Sequence, residues 1–314
     1  MGIRILKVRT NKDLVFRFFF IAVIILISSI FSTHFRSQAN LINILNQIPP
    51  LAFVAIGQTL VILTTGIDLS VGAIMSMSTI ISASMMEYGD MLSVFYSVFL
   101  IIFISLFFGF INGLFIAKLK MEPLIVTLAT STILNGINLF ILPYPGGYCP
   151  SNFTNLFSYK IFDIMPLSFL YFLVIFLVFY MLLHYTSFGR HIYAVGGNER
   201  KAGLAGIKTD KIKIGVYMLS SLCASLSGLV LAARMHSGDP TAGEDFTLMS
   251  IAAVLIGGTT FNGGEGGINQ TLTGIIIMTL LTNILNLFGV SPFYQNILTG
   301  LIVLVAAIYS AFNQ

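Results

Sequence analysis

Met91–Ala117, MLSVFYSVFLIIFISLFFGFINGLFIA, is a continuous apolar run, longer than the roughly 20 residues a helix needs to cross a bilayer. Comparable runs recur along the whole chain, and they exceed the short alternating segments of an outer-membrane barrel. The expected fold class is therefore all-α, a polytopic membrane helical bundle. Composition points the same way. Of the 314 residues, 56% are hydrophobic and only 9% charged, with mean hydropathy +0.94, whereas soluble domains carry roughly 25% charged residues.

Reading the apolar runs against their punctuation predicts about ten transmembrane helices, near 14–33, 45–64, 69–86, 91–117, 123–142, 164–185, 214–234, 248–262, 268–288 and 292–311. The first run, 18–31, lacks the small-residue cleavage pattern of a removable signal and reads as a retained span. Placing the N-terminus in the cytoplasm puts thirteen of the sixteen Lys and Arg residues inside: Arg4, Lys7, Arg9, Lys12, Arg17, Lys118, Lys120 and six in the loop 186–213. Only Arg36, Lys160 and Arg234 then lie outside. That bias follows the rule by which Lys and Arg near span ends set orientation, and the count of ten spans, rather than charge, then returns the C-terminus to the cytoplasm. The formal charge of +4 is thus explained by orientation, and nucleic acid is not an expected partner.

Pro49 and Pro50 should bend the second span or mark its start. Five spans before the outside segment 143–163 and five after it would place two halves in inverted orientation, a recurrent transporter plan. No linker divides the chain, so 1–314 reads as a single membrane domain.

The main polar interruption is TSFGRHIYAVGGNERKAGLAGIKTDKIK, residues 186–213, which carries Arg190, Arg200, Lys201, Lys208, Lys211 and Lys213. Gly196 and Gly197 are expected to break the preceding conformation, Asn198 to cap a new turn, and Glu199 to favour its first turn. Ala202, Leu204 and Ala205 can form a compact apolar contact surface before Gly206 ends the element. The result is a short helix outside the membrane. Lipid headgroups or a docked protein would each account for its basic residues.

Within the apolar segments, Asp68 in TGIDLSVG (65–72) is the costliest residue to insert, at about 2.5 to 3.5 kcal/mol for a helix centre. It can cap the turn beginning at Leu69 with help from Ser70, or take part in a pathway or gate. Pro123 and Glu122 suit the start of the fifth span. Asn112, Thr127, Thr130, Ser131, Asn135 and Asn138 could hydrate a solute passage or bond helices together. Gly109 and Gly113 form a GxxxG pair that permits close helix approach. The cluster IGGTTFNGGEGG (256–267) lacks the lysine of a phosphate loop, so a broken helix or tight turn is expected.

Nothing suggests covalent chemistry. His34, His184, His191 and His236 are dispersed and form no HExxH zinc helix. Cys149 and Cys223 offer no disulfide framework. Asp239, Glu244 and Asp245 in SGDPTAGEDF read as a solvated loop or a docking surface for an extracytoplasmic partner. No catalytic or metal-binding set is expected.

Several ordered stretches together resemble one family. GQTLVILTTGIDLSVGAIMSMS, LIVTLAT, TSFGRHIYAVGGNERKAGLAGI, SGDPTAGEDF, IAAVLIGGT and GVSPFYQ, spread over about 57–309, look like an ATP-binding cassette transporter permease of the ribose, xylose and related monosaccharide family. The resemblance implies a non-enzymatic permease subunit in the bacterial plasma membrane that works as a dimer with a second permease copy or homologue. It implies a cytoplasmic ATPase subunit, which holds ATP and Mg, and an extracytoplasmic solute-binding protein, with a small sugar as cargo and membrane lipid around the helices. It also implies that 197–206 contains the coupling helix, so Gly197, Asn198, Glu199, Arg200, Ala202, Leu204, Ala205 and Gly206 would meet the ATPase. Asp68, Ser70, Asn112, Thr127, Thr130 and Asn135 are the candidate pathway residues. A nucleoside or furanosyl signalling molecule is the alternative cargo, and a secondary transporter or intramembrane enzyme the alternative class. Glu265, where the family commonly has a basic residue, and Glu122, where it commonly has a small residue or Pro, depart from the pattern, as does LPYPGGYCPSNF.

Overall fold

The structure, a computed structural model, describes residues 11–86 and 89–312. Arg4, Lys7 and Arg9, counted above toward orientation, lie outside the described residues. The described chain is almost entirely helical: α1 (Asn11–Phe31), a 3-10 turn (His34–Arg36), α2 (Gln38–Leu63), α3 (Val71–Met85), α4 (Met91–Ala117), α5 (Pro123–Ile141) and α6 (Ser151–Ser158). A two-residue hairpin, β1 (Lys160–Ile161) with β2 (Met165–Pro166), leads into α7 (Leu167–Tyr185), α8 (Ser187–Gly197) and α9 (Glu199–Leu204). Then come α10 (Thr209–Met235), α11 (Glu244–Gly257), α12 (Ile268–Leu287) and α13 (Pro292–Phe312).

A helix occupies each of the ten apolar stretches expected, but ten crossings do not follow from that. Among the described residues six helices, α2, α4, α5, α7, α10 and α12, are long and apolar enough to cross a membrane. Arg17–Phe31, Val71–Met85 and Pro292–Val305 are shorter apolar stretches, and α11 ends early at Gly258.

Burial sorts the helices into a centre and a shell. In the most apolar window of α2 72% of residues are buried, and in α10 67%, against 28% in α4 and 22% in α7. α10 packs on α2, α3 and α4, and α2 packs in turn on α7, α11 and α12. The outer face of α4 presents Phe95, Phe99, Phe103 and Phe107 at four-residue spacing, all exposed. An apolar stripe of that size on the outside of a bundle is a lipid-facing surface.

Two local sequence features explain how α4 reaches α10. A Cβ on Gly109 would lie 2.7 Å from the Tyr217 carbonyl oxygen, and one on Gly113 would lie 2.6 Å from Ile214 Cα. The GxxxG pair is therefore the crossing point of the two helices.

The second span begins earlier than expected, and its prolines lie inside it. Ser37 supplies the cap, its hydroxyl accepting the Asn40 N–H at 3.2 Å, so the helix has already started when the chain reaches Pro49. Asn40 then pairs with Asn283 of α12 through two buried amide hydrogen bonds of 3.1 and 2.9 Å. The glycine cluster forms a turn, as expected, with Gly258, Gly263, Gly264, Gly266 and Gly267 all at positive φ. Gly264 donates its N–H to Leu63 at the end of α2, 3.0 Å away.

Candidate functional site

The loop 186–213 condenses into two helices and a turn. Thr186 caps α8 by accepting the Gly189 N–H at 3.1 Å. The helix then runs through Gly196 and Gly197, where the sequence had suggested a break. Gly196 is required for space, because a Cβ there would collide with the Leu63 carbonyl oxygen at the end of α2. Asn198 is the junction: it ends α8 and its side chain accepts the Lys201 N–H at 2.9 Å to start α9. The stop is a glycine motif in which Gly206 adopts φ +85° and Ile207 donates to the Ala202 carbonyl at 3.1 Å.

The expected apolar surface of α9 divides in two. Ala202 is buried against the bundle at 5% exposure, while Leu204 stands out at 83%. Gly197, Asn198, Arg200, Ala205 and Gly206 are exposed as well. Glu199 looks inward and fixes the helix. It accepts Lys213 Nζ of α10 at 2.5 Å and Lys120 Nζ, from the α4–α5 connection, at 3.1 Å. Lys120 also donates to Asp210 at 3.2 Å. Partial burial works to raise the Glu199 pKa, but the hydrogen bonds from Lys213 and Lys120 and their charges outweigh it, so the carboxyl titrates below its ordinary value. In the sequence Lys120 and Lys213 signal only orientation. Their role as tethers depends on contacts 79 and 14 residues away in sequence.

The polar residues of the apolar segments assemble beside this unit. Asp68 is fully buried in the turn between α2 and α3. One carboxylate oxygen accepts the Ser70 N–H at 3.0 Å and the Ser70 hydroxyl at 2.6 Å, and the other accepts the Ser220 hydroxyl of α10 at 2.9 Å. Helix α3 starts at Val71, two residues later than Leu69, because Asp68 turns the chain back on itself first. The Gln58 amide lies against the Asp68 backbone, and the orientation that hydrogen bonding requires turns its nitrogen to the carbonyl at 3.2 Å and its oxygen to the N–H at 3.3 Å.

From Ser70 the network continues outward. Asn112 of α4 donates to the Ser70 hydroxyl at 3.0 Å and accepts from Thr130 of α5 at 2.6 Å. Thr127 donates to the Ile67 carbonyl at 3.2 Å. Five of the six candidate pathway residues thus form one buried cluster linking α4, α5 and α10 through the α2–α3 turn. Asn135 stands apart, its side-chain oxygen buried and unpartnered. Ser220 and Gln58 were not legible as partners, since Ser220 lies 152 residues from Asp68. Among the described residues no group of His, Cys, Asp or Glu could hold a metal.

A short, capped helix offers an exposed surface while ion pairs and the Gly196 contact carry it on the helices that surround the Asp68 cluster. Residues 40–307 match the family described as branched-chain amino acid transport system / permease component. The ribose import permease protein RbsC of Bacillus subtilis (strain 168) is 39% identical, over 91% of this chain and 89% of its own length. RbsC of Haemophilus influenzae (strain ATCC 51907 / DSM 11121 / KW20 / Rd) is 38% identical over 92% and 91%. The D-allose transport system permease protein AlsC of Escherichia coli (strain K12) is 33% identical over 92% and 89%. No solved structure matches the chain.

Proposed function

The chain belongs to the family of branched-chain amino acid transport system / permease components, and from that premise we propose that it is the membrane-spanning permease subunit of an ATP-driven importer for a monosaccharide, ribose or a related sugar. Relatives that are ribose and allose transport permeases, matched over about nine-tenths of both chains, support that cargo. The partners in this reading are a cytoplasmic ATPase subunit carrying ATP and Mg, an extracytoplasmic solute-binding protein and a second permease copy. Ten crossings in two inverted halves belong to the same reading, with α1, α3, α11 and α13 added to the six long apolar helices.

The observation that carries the mechanism is the outward presentation of Leu204 and Ala205 on a helix whose Glu199 is tied to α10 and to the α4–α5 connection. A partner can shift a conformational equilibrium only through contacts that differ between the two states. A rigidly tethered α9 provides such a contact: ATPase movement pressed on it passes to α10, whose Ser220 holds Asp68. The Asp68 cluster acts here as the hinge between α3, α4, α5 and α10, and its carboxylate is already occupied by protein donors.

Proteoliposomes containing the chain with its ATPase and binding protein test the proposal. ATP-dependent accumulation of D-ribose or another monosaccharide is the expected result. Accumulation driven by an ion gradient without the ATPase, or none for any monosaccharide, would overturn it.

A further inference from the structure

Residues 258–267, the turn between α11 and α12, are held from outside by α8 and by the end of α2. Tyr193 of α8 donates its hydroxyl to the Gly266 carbonyl at 2.9 Å, and burial pushes its pKa up to about 12, so it stays a donor at any physiological pH. Gly264 donates to the Leu63 carbonyl at 3.0 Å, and a Cβ on it would lie 2.8 Å from the Gly197 nitrogen. One on Gly263 would lie 3.0 Å from the Gly196 carbonyl oxygen. The turn also has a fixed shape of its own, since Thr259 accepts the Gly267 N–H at 3.1 Å across its neck. Backbone lies on backbone here, and the Tyr193 hydroxyl adds a directional bond across the contact.

The two helices that this turn joins are packed backbone against backbone. Gly257 of α11 faces the Gln270 carbonyl of α12, and Gly274 of α12 faces the Ala253 carbonyl of α11, in both places closer than a Cβ would allow. The Glu199 ion pairs lead elsewhere: they join α9 to α10 and to the α4–α5 connection. We propose that Tyr193 is a positioning residue of the transport cycle: it clamps α8 to the 258–267 turn, so that α8, the turn, α11 and α12 move as one body when the ATPase presses on α8 and α9. The inference rests on the transport reading above and adds to it a second route into the membrane, separate from α10 and the Asp68 cluster. That route ends at Glu244, the outer start of α11, beside Gly243, whose N–H goes to the Ser76 hydroxyl of α3 at 2.9 Å. Movement of α8 thus reaches the extracytoplasmic side along α11 without passing through Asp68.

The Tyr193 ring packs against the central core, and Tyr193→Phe keeps that packing while removing the bond to Gly266. Proteoliposomes containing the full chain, its ATPase and its binding protein report D-ribose accumulated per ATP hydrolysed. The expected result for Tyr193→Phe is a drop of about fivefold in that ratio, the factor that one ordinary hydrogen bond contributes, with the complex assembled as before. A merely structural Tyr193 would change the yield of complex and leave the ratio alone. A second measurement keeps Tyr193 in place. Spin labels on Arg190→Cys of α8 and Glu265→Cys of the turn, both exposed positions, should keep one separation in the ATP-free and ATP-bound complexes, and adding Tyr193→Phe should let it change. A ratio within about twofold of the unsubstituted chain, or a change in label separation of about 5 Å or more with Tyr193 present, the size of a one-turn shift, overturns the clamp and leaves the transport function standing. Failure of the unsubstituted complex to accumulate D-ribose or any other monosaccharide overturns the function, and the clamp with it.

Discussion

Lys213, one turn into the central helix α10, donates to the Glu199 carboxylate of α9 at 2.5 Å, and only 12% of its side chain is exposed. The pair therefore ties the largely exposed helix α9 to one of the two central, mostly buried helices. Exposed ion pairs contribute about 0.2–1 kcal/mol, and a hydrogen bond to a charged group about 1.5–3 kcal/mol. Glu199 is one-third exposed, which places this pair toward the lower range. A double-mutant cycle with Glu199→Ala and Lys213→Ala should give a coupling of about 0.5–1.5 kcal/mol, read from denaturation or from amide exchange in α9. Additive effects would show that the two residues act separately.

The same pair has a defined pH window. Because the folded Glu199 pKa lies below its ordinary value of 4.5, the tether is fully present above that value and is lost as pH falls through the depressed one. Amide exchange in 199–204, corrected for its intrinsic pH dependence, should be constant from neutral pH down to 4.5 and accelerate only in stronger acid. A transition centred above 4.5 would contradict the tether.

Exposure distinguishes the faces of α9. In inside-out vesicles, cysteines at Leu204 and Ala205 should react with a membrane-impermeant maleimide, and in cells they should crosslink to a co-expressed ATPase subunit, whereas a cysteine at Ala202, 5% exposed, should do neither. The native Cys149 and Cys223 are both buried and contribute little background. Stable protein with no adduct at either exposed position counts against α9 as the coupling contact.

Asp68 receives three hydrogen bonds from Ser70 and Ser220. Asp68→Ala leaves these donors buried without an acceptor, at about 1–3 kcal/mol for each unsatisfied group. Asp68→Asn keeps one acceptor oxygen for Ser70 and can donate to Ser220. The alanine variant should melt markedly lower than the asparagine variant in detergent. Equal losses would show that the charge itself, and not the bonding pattern, holds the turn.

Long apolar runs locate the helices because burial in lipid demands them, and local polar chemistry locates α9 because Asn198 and Gly206 act on neighbours within a few residues. Long-range partners carry no such mark. Ser220 and Lys213 look like ordinary residues of a helix until α10 is placed beside the α2–α3 turn and α9. Gly196 shows a related limit: the glycine pair marks the end of α8 at Gly197, while the space that Gly196 provides is dictated by Leu63, far earlier in the chain.

Gly196 and Gly197 separate those two roles in one experiment. A Cβ at position 196 collides with the Leu63 carbonyl oxygen, whereas one at position 197 meets nothing within 4 Å. Backbone cannot yield as a flexible side chain can, so Gly196→Ala should dislodge α8 from the end of α2 at the roughly 1–3 kcal/mol typical of overpacking. Gly197→Ala occupies the last helical residue of α8 in open space and should be neutral, or stabilise by up to about 1 kcal/mol through reduced unfolded-state entropy. If α8 positions α9 for its partner, the first substitution should also lower ATP-driven uptake per assembled complex and the second should not. Equal behaviour of the two variants in both measurements would mean that contact with Leu63 does not set the position of the coupling helix.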